Sequence, residues 1–204
     1  MKKVIILFFA LVALNANAQN YTDTFDSNTL GWTEESDKNY EAVIKEGVMH
    51  MSSKPGGLAG ALLGKRDYVE THCYAPLDVT KNFEIKCEAI TKKSGILNIG
   101  LFGIMLDYID DGNFTAFLIG NDYAYLVRYY NNQIIGRISN SIKITDKKQA
   151  SFDIAIKSTY QKLEFFINNM RAIEARYLPL QSNGFGFYVN GDMTVDFDNV
   201  EFIQ

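Results

Sequence analysis

From Gln19 to the end of the chain, apolar side chains return at every second position. A period of two belongs to a strand with one face against a core, whereas a helix repeats every 3.6 residues. Phe152, Ile154 and Ile156 alternate with Ser151, Asp153, Ala155 and Lys157. Leu163, Phe165 and Ile167 alternate with Glu164, Phe166 and Asn168, and Phe185, Phe187 and Val189 with Gly184, Gly186, Tyr188 and Asn190. No segment keeps apolar residues at i, i+3, i+4 and i+7 for three turns, so long helices are not expected. Between the alternating runs lie Lys45-Glu46-Gly47, Asp110-Asp111-Gly112-Asn113, Asn131-Asn132, Asn168-Asn169 and Asn190-Gly191-Asp192. Asparagine and glycine accept the positive φ that tight hairpin turns require. Around a dozen short strands with such turns predict an all-β chain folded as an antiparallel β-sandwich or jelly roll. Near the C-terminus Val195 and Phe197 share one parity and Val200 and Phe202 the other. An extra residue at Asp198-Asn199 that keeps all four on one face is a β-bulge.

The first residues stand apart from this pattern. Met1-Lys2-Lys3 is basic, Val4 to Leu14 is apolar, and Ala16-Asn17-Ala18 is a small-residue cleavage signal. These are the three parts of a secretory signal peptide, with cleavage expected after Ala18. Eleven apolar residues are too few to cross a hydrocarbon layer of roughly 30 Å as a helix. The expectation is a signal peptide at 1–18 and one sandwich domain at 19–204, exported to the periplasm or outside the cell, with no membrane span after cleavage. Pro55-Gly56-Gly57-Leu58-Ala59-Gly60 reads as a loop, and no repeat of 20–50 residues interrupts the chain. A formal net charge of −4 argues against a nucleic-acid partner, because neutralising phosphates takes clustered Lys and Arg.

Three C-terminal segments carry a resemblance: Leu163-Glu164-Phe165-Phe166-Ile167-Asn168-Asn169, Gly184 to Val189, and Val195-Asp196-Phe197-Asp198-Asn199-Val200. They look like the closing strands of concanavalin A-like lectin/glucanase domains, in particular the LamG-like and 3-keto-disaccharide hydrolase-like sandwiches of exported bacterial proteins. The opening Thr24-Phe25-Asp26-Ser27 with Gly31-Trp32 is similar to the start of such domains, and Glu46 to Met51 to their next hairpin. Phe102 to Leu106 and Phe114 to Tyr130 fit the central strands. The resemblance implies a concanavalin A-like jelly roll over nearly all of the mature chain. It also implies that the first and last strands lie close, bringing Asp26 near Asp198, where carboxylates and turn carbonyls would hold a structural calcium. The bland reading of Asp198 is a bond to the backbone amides of its own bulge.

Catalytic motifs are missing. Glycanases of this fold carry Glu-x-Asp-x-x-Glu on a strand. In Glu35-Ser36-Asp37-Lys38-Asn39-Tyr40 the third carboxylate is replaced by Tyr40, and Glu41 falls on the opposite face. Gly60 to Arg66 departs from a phosphate loop at Ala59 and at Arg66, and there is no Gly-x-Ser-x-Gly elbow. His50 and His72 lack zinc-ligand spacing. Asp107, Asp110 and Asp111 lack the alternate-residue spacing of a calcium loop and read as a solvated turn.

The expectation for function is therefore a non-catalytic module that binds a glycan or oligosaccharide. The alternatives are a protein-interaction module and a glycosidase-like enzyme. Any ligand would take the sheet face opposite the core. With Phe102, Ile104, Leu106, Tyr125, Val127, Phe185 and Phe187 inward, parity turns Asp107, Arg128, Tyr130, Tyr188 and Asn190 outward. Tyr188 between glycines would offer a stacking ring, with Asp107, Arg128 and Asn190 reading hydroxyls. The bland alternative is an Asp107–Arg128 surface ion pair with the tyrosines packed under a loop. Cys73 and Cys87 would face each other and bridge if Thr71–Ala75 and Phe83–Ala89 form a hairpin; otherwise each is a small buried hydrophobe.

Overall fold

The computed structural model describes residues 20–54, 68–94, 100–120, 122–142, 151–160, 162–176 and 179–204. The stretch 1–18, expected to be a signal peptide, and the stretches Pro55–Gly60 and Gly60–Arg66 singled out in the sequence lie outside them. No helix among these residues is long and apolar enough to cross a membrane.

The described residues form two antiparallel sheets. The first contains β1 (Tyr21–Asp23), β2 (Glu35–Ser36), β3 (Tyr40–Lys45), β4 (Val48–Ser53), β6 (Phe83–Ser94), β11 (Ser151–Thr159), β12 (Lys162–Ile167), β13 (Met170–Arg176) and β15 (Met193–Ile203). Its order is β13-β12-β11-β6-β15-β4-β3-β2, and β1 pairs with the end of β15 that β4 does not reach. The second contains β5 (Tyr68–Tyr74), β7 (Leu101–Asp110), β8 (Asn113–Gly120), β9 (Tyr123–Tyr130), β10 (Gln133–Ser141) and β14 (Gly184–Asn190), in the order β10-β9-β8-β7-β14-β5.

Alternation explains the packing. Phe152, Ile154, Ile156, Leu163, Phe165 and Ile167 from one sheet and Phe102, Ile104, Leu106, Phe185, Phe187 and Val189 from the other meet in one buried core. Trp32 lies flat on Phe187, with ring centroids 5.1 Å apart, and Phe187 lies flat on Phe197 at 4.1 Å. That column ties the N-terminal segment to both sheets. The tight turns form where the sequence predicts them. Asn168 and Asn169, and Asn131 and Asn132, take positive φ, as two-residue hairpins require. The expected bulge is present too: the β15–β6 register shifts between Asp198 and Glu201, with Asn199 at φ 49°.

One expectation is overturned. β5 and β6 do not form a hairpin, because they belong to different sheets. The connecting segment buries Ala75 and Leu77 and bonds to the chain's end, with Asp78 N–H donating to Gln204 Oε1 at 3.0 Å and Gln204 Nε2 to Asp78 O at 2.7 Å. A segment that packs into the core as it crosses between layers leaves no place for a tight turn. Cys73 and Cys87 therefore reach the core from opposite sheets, where both are free and buried.

Candidate functional site

The six-stranded sheet has an unusual outward face. Its register sets His72, Gly186, Met105, Ala116, Val127 and Arg137 in one row across the sheet, and Glu70, Tyr188, Gly103, Leu118, Tyr125 and Ser139 in the next. Met105, Tyr108, Phe114, Ala116, Leu118 and Tyr188 form a second buried apolar cluster there, flanked by Tyr68, Tyr125 and Tyr129. Tyr68 stacks on Tyr188 with centroids 5.1 Å apart, His72 on Tyr108 at 4.1 Å, and Phe114 on Tyr129 at 4.6 Å. A solvated sheet face normally alternates to polar residues; this one is an aromatic layer. Glycine is required within it at Gly186, where a Cβ would stand 2.2 Å from the Thr71 carbonyl oxygen.

Burial sets the protonation of the polar groups here. Desolvation, with the bond from Tyr108 to Asp111, pushes the Tyr108 hydroxyl up, so it stays a neutral donor. Burial holds His72 below the usual imidazole range, against an opposing pull from Asp111.

The layer opens to solvent toward β9 and β10. Tyr123 is 44% exposed, Tyr125 is half-buried, and Arg137, Ser139 and Ser141 are exposed. The Tyr123 and Tyr125 rings stand 6.0 Å apart, and the Arg137 guanidinium lies 4.7 Å over the Tyr125 ring. Ser139 lies opposite Tyr125 and Ser141 opposite Tyr123.

The structure distributes the residues singled out in the sequence differently. Tyr188 and Asn190 do turn outward. However, Tyr188 is only 6% exposed, and Asn190 Oδ1 accepts the Leu101 N–H at 3.0 Å. Asp107 is a correction: it sits at φ 53° in the β7–β8 irregularity, 6% exposed, and its Oδ1 accepts the N–H groups of Gln181 and Ser182 at 2.6 and 2.8 Å. Arg128 and Tyr130 are a second correction. Arg128 lies opposite Thr115, in the row that continues to Leu106 and Phe185 on the core-facing side, and Tyr130 shares its parity at the 58%-exposed end of β9. Tyr125 and Val127 face outward instead, because β9 is apolar on both faces and alternation alone does not choose between them. The outward residues missed in the sequence are Tyr68, His72, Tyr123, Tyr125 and Arg137; the shared parity of Tyr123, Tyr125 and Tyr129 was the available signal.

The first and last described strands pair, with Tyr21 opposite Phe202 and Asp23 opposite Val200. Asp26 accepts a bond from the Thr24 hydroxyl at 2.9 Å, and Asp198 Oδ1 accepts the Asn199 N–H at 2.7 Å. Each carboxylate is thus bonded within its own turn, and the six to eight oxygens of a calcium shell would have to include turn carbonyls. No three His, Cys, Asp or Glu side chains among the described residues are placed to hold a metal. The Glu35–Tyr40 segment is a hairpin turn, in which Asp37 Oδ1 accepts the N–H groups of Asn39 and Tyr40.

The outward face of the nine-stranded sheet is a charged ladder. A groove of about 460 Å³ lined by Glu84, Lys86, Glu88, Asp153, Lys157 and Phe166 is crossed by ion pairs from Lys157 to Glu84 at 3.3 Å and Lys86 to Glu201 at 3.7 Å. Nearby, buried Asp196 bonds His50 at 2.7 Å and Lys92 at 2.5 Å. In the groove two lysines stand against four carboxylates, Glu84, Glu88, Asp153 and Glu201, so this face stays net negative.

No protein-family model matches the chain, and no curated protein matches it. Solved structures do. The carbohydrate-binding module CBM66 from Bacillus subtilis superposes with TM-score 0.59 at 17% identity, over 85% of this chain and 96% of that one. The β-glucanase of Bacillus licheniformis gives 0.62 at 9% identity over 92% and 99%, and the laminarinase from Flavobacterium sp. UMI-01 gives 0.57 at 12% over 90% and 99%. Identities this low establish architecture alone, and the architecture is the concanavalin A-like jelly-roll sandwich that the closing strands resemble.

Proposed function

We propose that the protein binds a carbohydrate chain without cleaving it, on the outward face of the six-stranded sheet at its β9–β10 end. The observation that carries this reading is the solvent-facing pair Tyr123 and Tyr125, backed by a packed aromatic layer and flanked by the Ser139 and Ser141 hydroxyls. Sugar rings present C–H faces that lie well on aromatic faces, while hydroxyls beside the rings fix orientation. One structural neighbour is named for carbohydrate binding and two for glucan or laminarin chemistry, which supports the carbohydrate part of this reading. Cleavage by the usual route needs two carboxylates flanking one bond. On this face Glu70 and Asp111 both act on Tyr108, and Asp111 sits in the β7–β8 turn, at the opposite end of β8 from Tyr123. We further read residues 1–18 as a cleaved leader that sends the chain out of the cytoplasm, checked by a mature N-terminus at Gln19 in intact-mass measurement.

The test is retention of the mature protein on a panel of immobilised polysaccharides, with product analysis in the same tubes. Retention without new reducing ends is expected. Tyr123→Ala should weaken it at least tenfold, about 1.4 kcal/mol, while the variant still unfolds cooperatively, because the residue is 44% exposed and lies outside the packed layer. Retention on none of the panel, or undiminished retention of the variant, removes the reading. A second reading has its own observation: Tyr130, Ile134, Ile135 and Ile138 are all exposed on the β9–β10 hairpin, a surface suited to a protein partner.

A further inference from the structure

Every residue of β10 is exposed, and Arg137 is the one charged side chain among them. Its position opposite Val127 sends it to the outward face, where the guanidinium is laid on the Tyr125 ring. That contact holds the cation in one place without neutralising it. The contrast is Arg171, which is clamped by Glu164 and Glu174. No carboxylate of the described residues forms an ion pair with Arg137, Asp122 in the turn before β9 included. Glu70, in the neighbouring row, is five strand spacings away, roughly 24 Å at about 4.8 Å each.

A guanidinium held over a ring, with no ion pair to a carboxylate of the described residues, is a planar fork suited to two carboxylate oxygens. The exposed ring beside it is Tyr123, whose centroid is 6.0 Å from that of Tyr125. A hexose ring stacked on Tyr123 can be turned so that its exocyclic substituent reaches toward Arg137, with Ser141 and Ser139 along the same edge for its hydroxyls. We infer that the glycan taken at this site is an acidic one, whose uronate carboxylate is read by Arg137. This rests on the carbohydrate reading above and deepens it.

The experiment pairs polygalacturonate, alginate and hyaluronan each with its own carboxyl-reduced counterpart, adds dextran sulfate, and measures binding at 0.15 M salt. At least one uronate polymer should bind tenfold or more tightly than its reduced form. Arg137→Gln should erase that margin, and Lys81→Gln, the same charge change outside this face, should leave it intact. Equal binding of every acidic and reduced pair, a margin that survives Arg137→Gln, or equally tight binding of dextran sulfate would overturn the uronate assignment. If neutral polymers are retained through Tyr123 with no margin, the carbohydrate site stands and the uronate assignment alone falls. If no polymer is retained, both fall.

Discussion

Asp107 turns two backbone N–H groups onto one carboxylate oxygen and so fastens the segment at Gln181 and Ser182 to the end of β7. Charge-assisted bonds to a buried carboxylate are among the stronger ones, and removing the acceptor strands both donors. Asp107→Ala should therefore cost about 2–3 kcal/mol in urea denaturation. Asp107→Asn should cost clearly less, since an amide oxygen still accepts and asparagine tolerates the positive φ. Equal losses would show that the bonds do not matter. Sequence made Asp107 look like a ligand contact because parity after Leu106 points outward, and the irregularity that turns it under the sheet leaves no mark in the pattern. Arg128 was turned to the wrong face for a related reason. In β9 both Ala124-Leu126 and Tyr125-Val127 are apolar, and only pairing with Ala116 and Leu118 shows which pair faces out. Tyr188, the stacking ring expected from sequence, packs under Tyr68, so its truncation would mix folding with binding.

At the scale of elements, the hairpins were the most legible feature. Two adjacent asparagines at positive φ need no tertiary help to turn a chain, which is why Asn131-Asn132 and Asn168-Asn169 lie where sequence puts them. The β15 bulge was legible as well, because an apolar set that changes parity without leaving the core requires an extra residue. Asn199 carries the left-handed conformation there. Asn199→Val should lose about 1–2 kcal/mol from the Cβ–carbonyl conflict of that conformation, while Asn199→Gly stays close to neutral. Matched urea midpoints for the two variants would show that the bulge relaxes instead. The passage from β5 to β6 was not legible, since a tight turn and a crossing between layers both begin with a short polar-and-apolar segment.

For the whole molecule, the groups buried between and on the sheets define a pH window. Burial pushes the Cys73 and Cys87 thiols up, and burial with Asp111 does the same to Tyr108. In the unfolded chain these groups titrate near their ordinary values, roughly 8.5 for thiols and 10 for phenols. Above those values the unfolded state sheds protons that the folded state keeps, so stability is full below about pH 8.5 and falls as the pH climbs. His72 is shifted the other way, so the unfolded state takes up its proton first, and stability falls as the pH drops below about 6.5. Urea midpoints should be highest between these limits. A thiol reagent at neutral pH should find no reactive cysteine in the native protein and two after denaturation; rapid labelling of the native state would contradict this burial. Sequence by itself determined the class of fold, the turns and the bulge, because alternation and positive-φ residues act over a few neighbours. Only the tertiary structure decided which cysteines and arginines share a layer, which aromatic rings pack and which stay open to a ligand. Those outcomes depend on strand order and register, set by contacts between residues far apart in the chain.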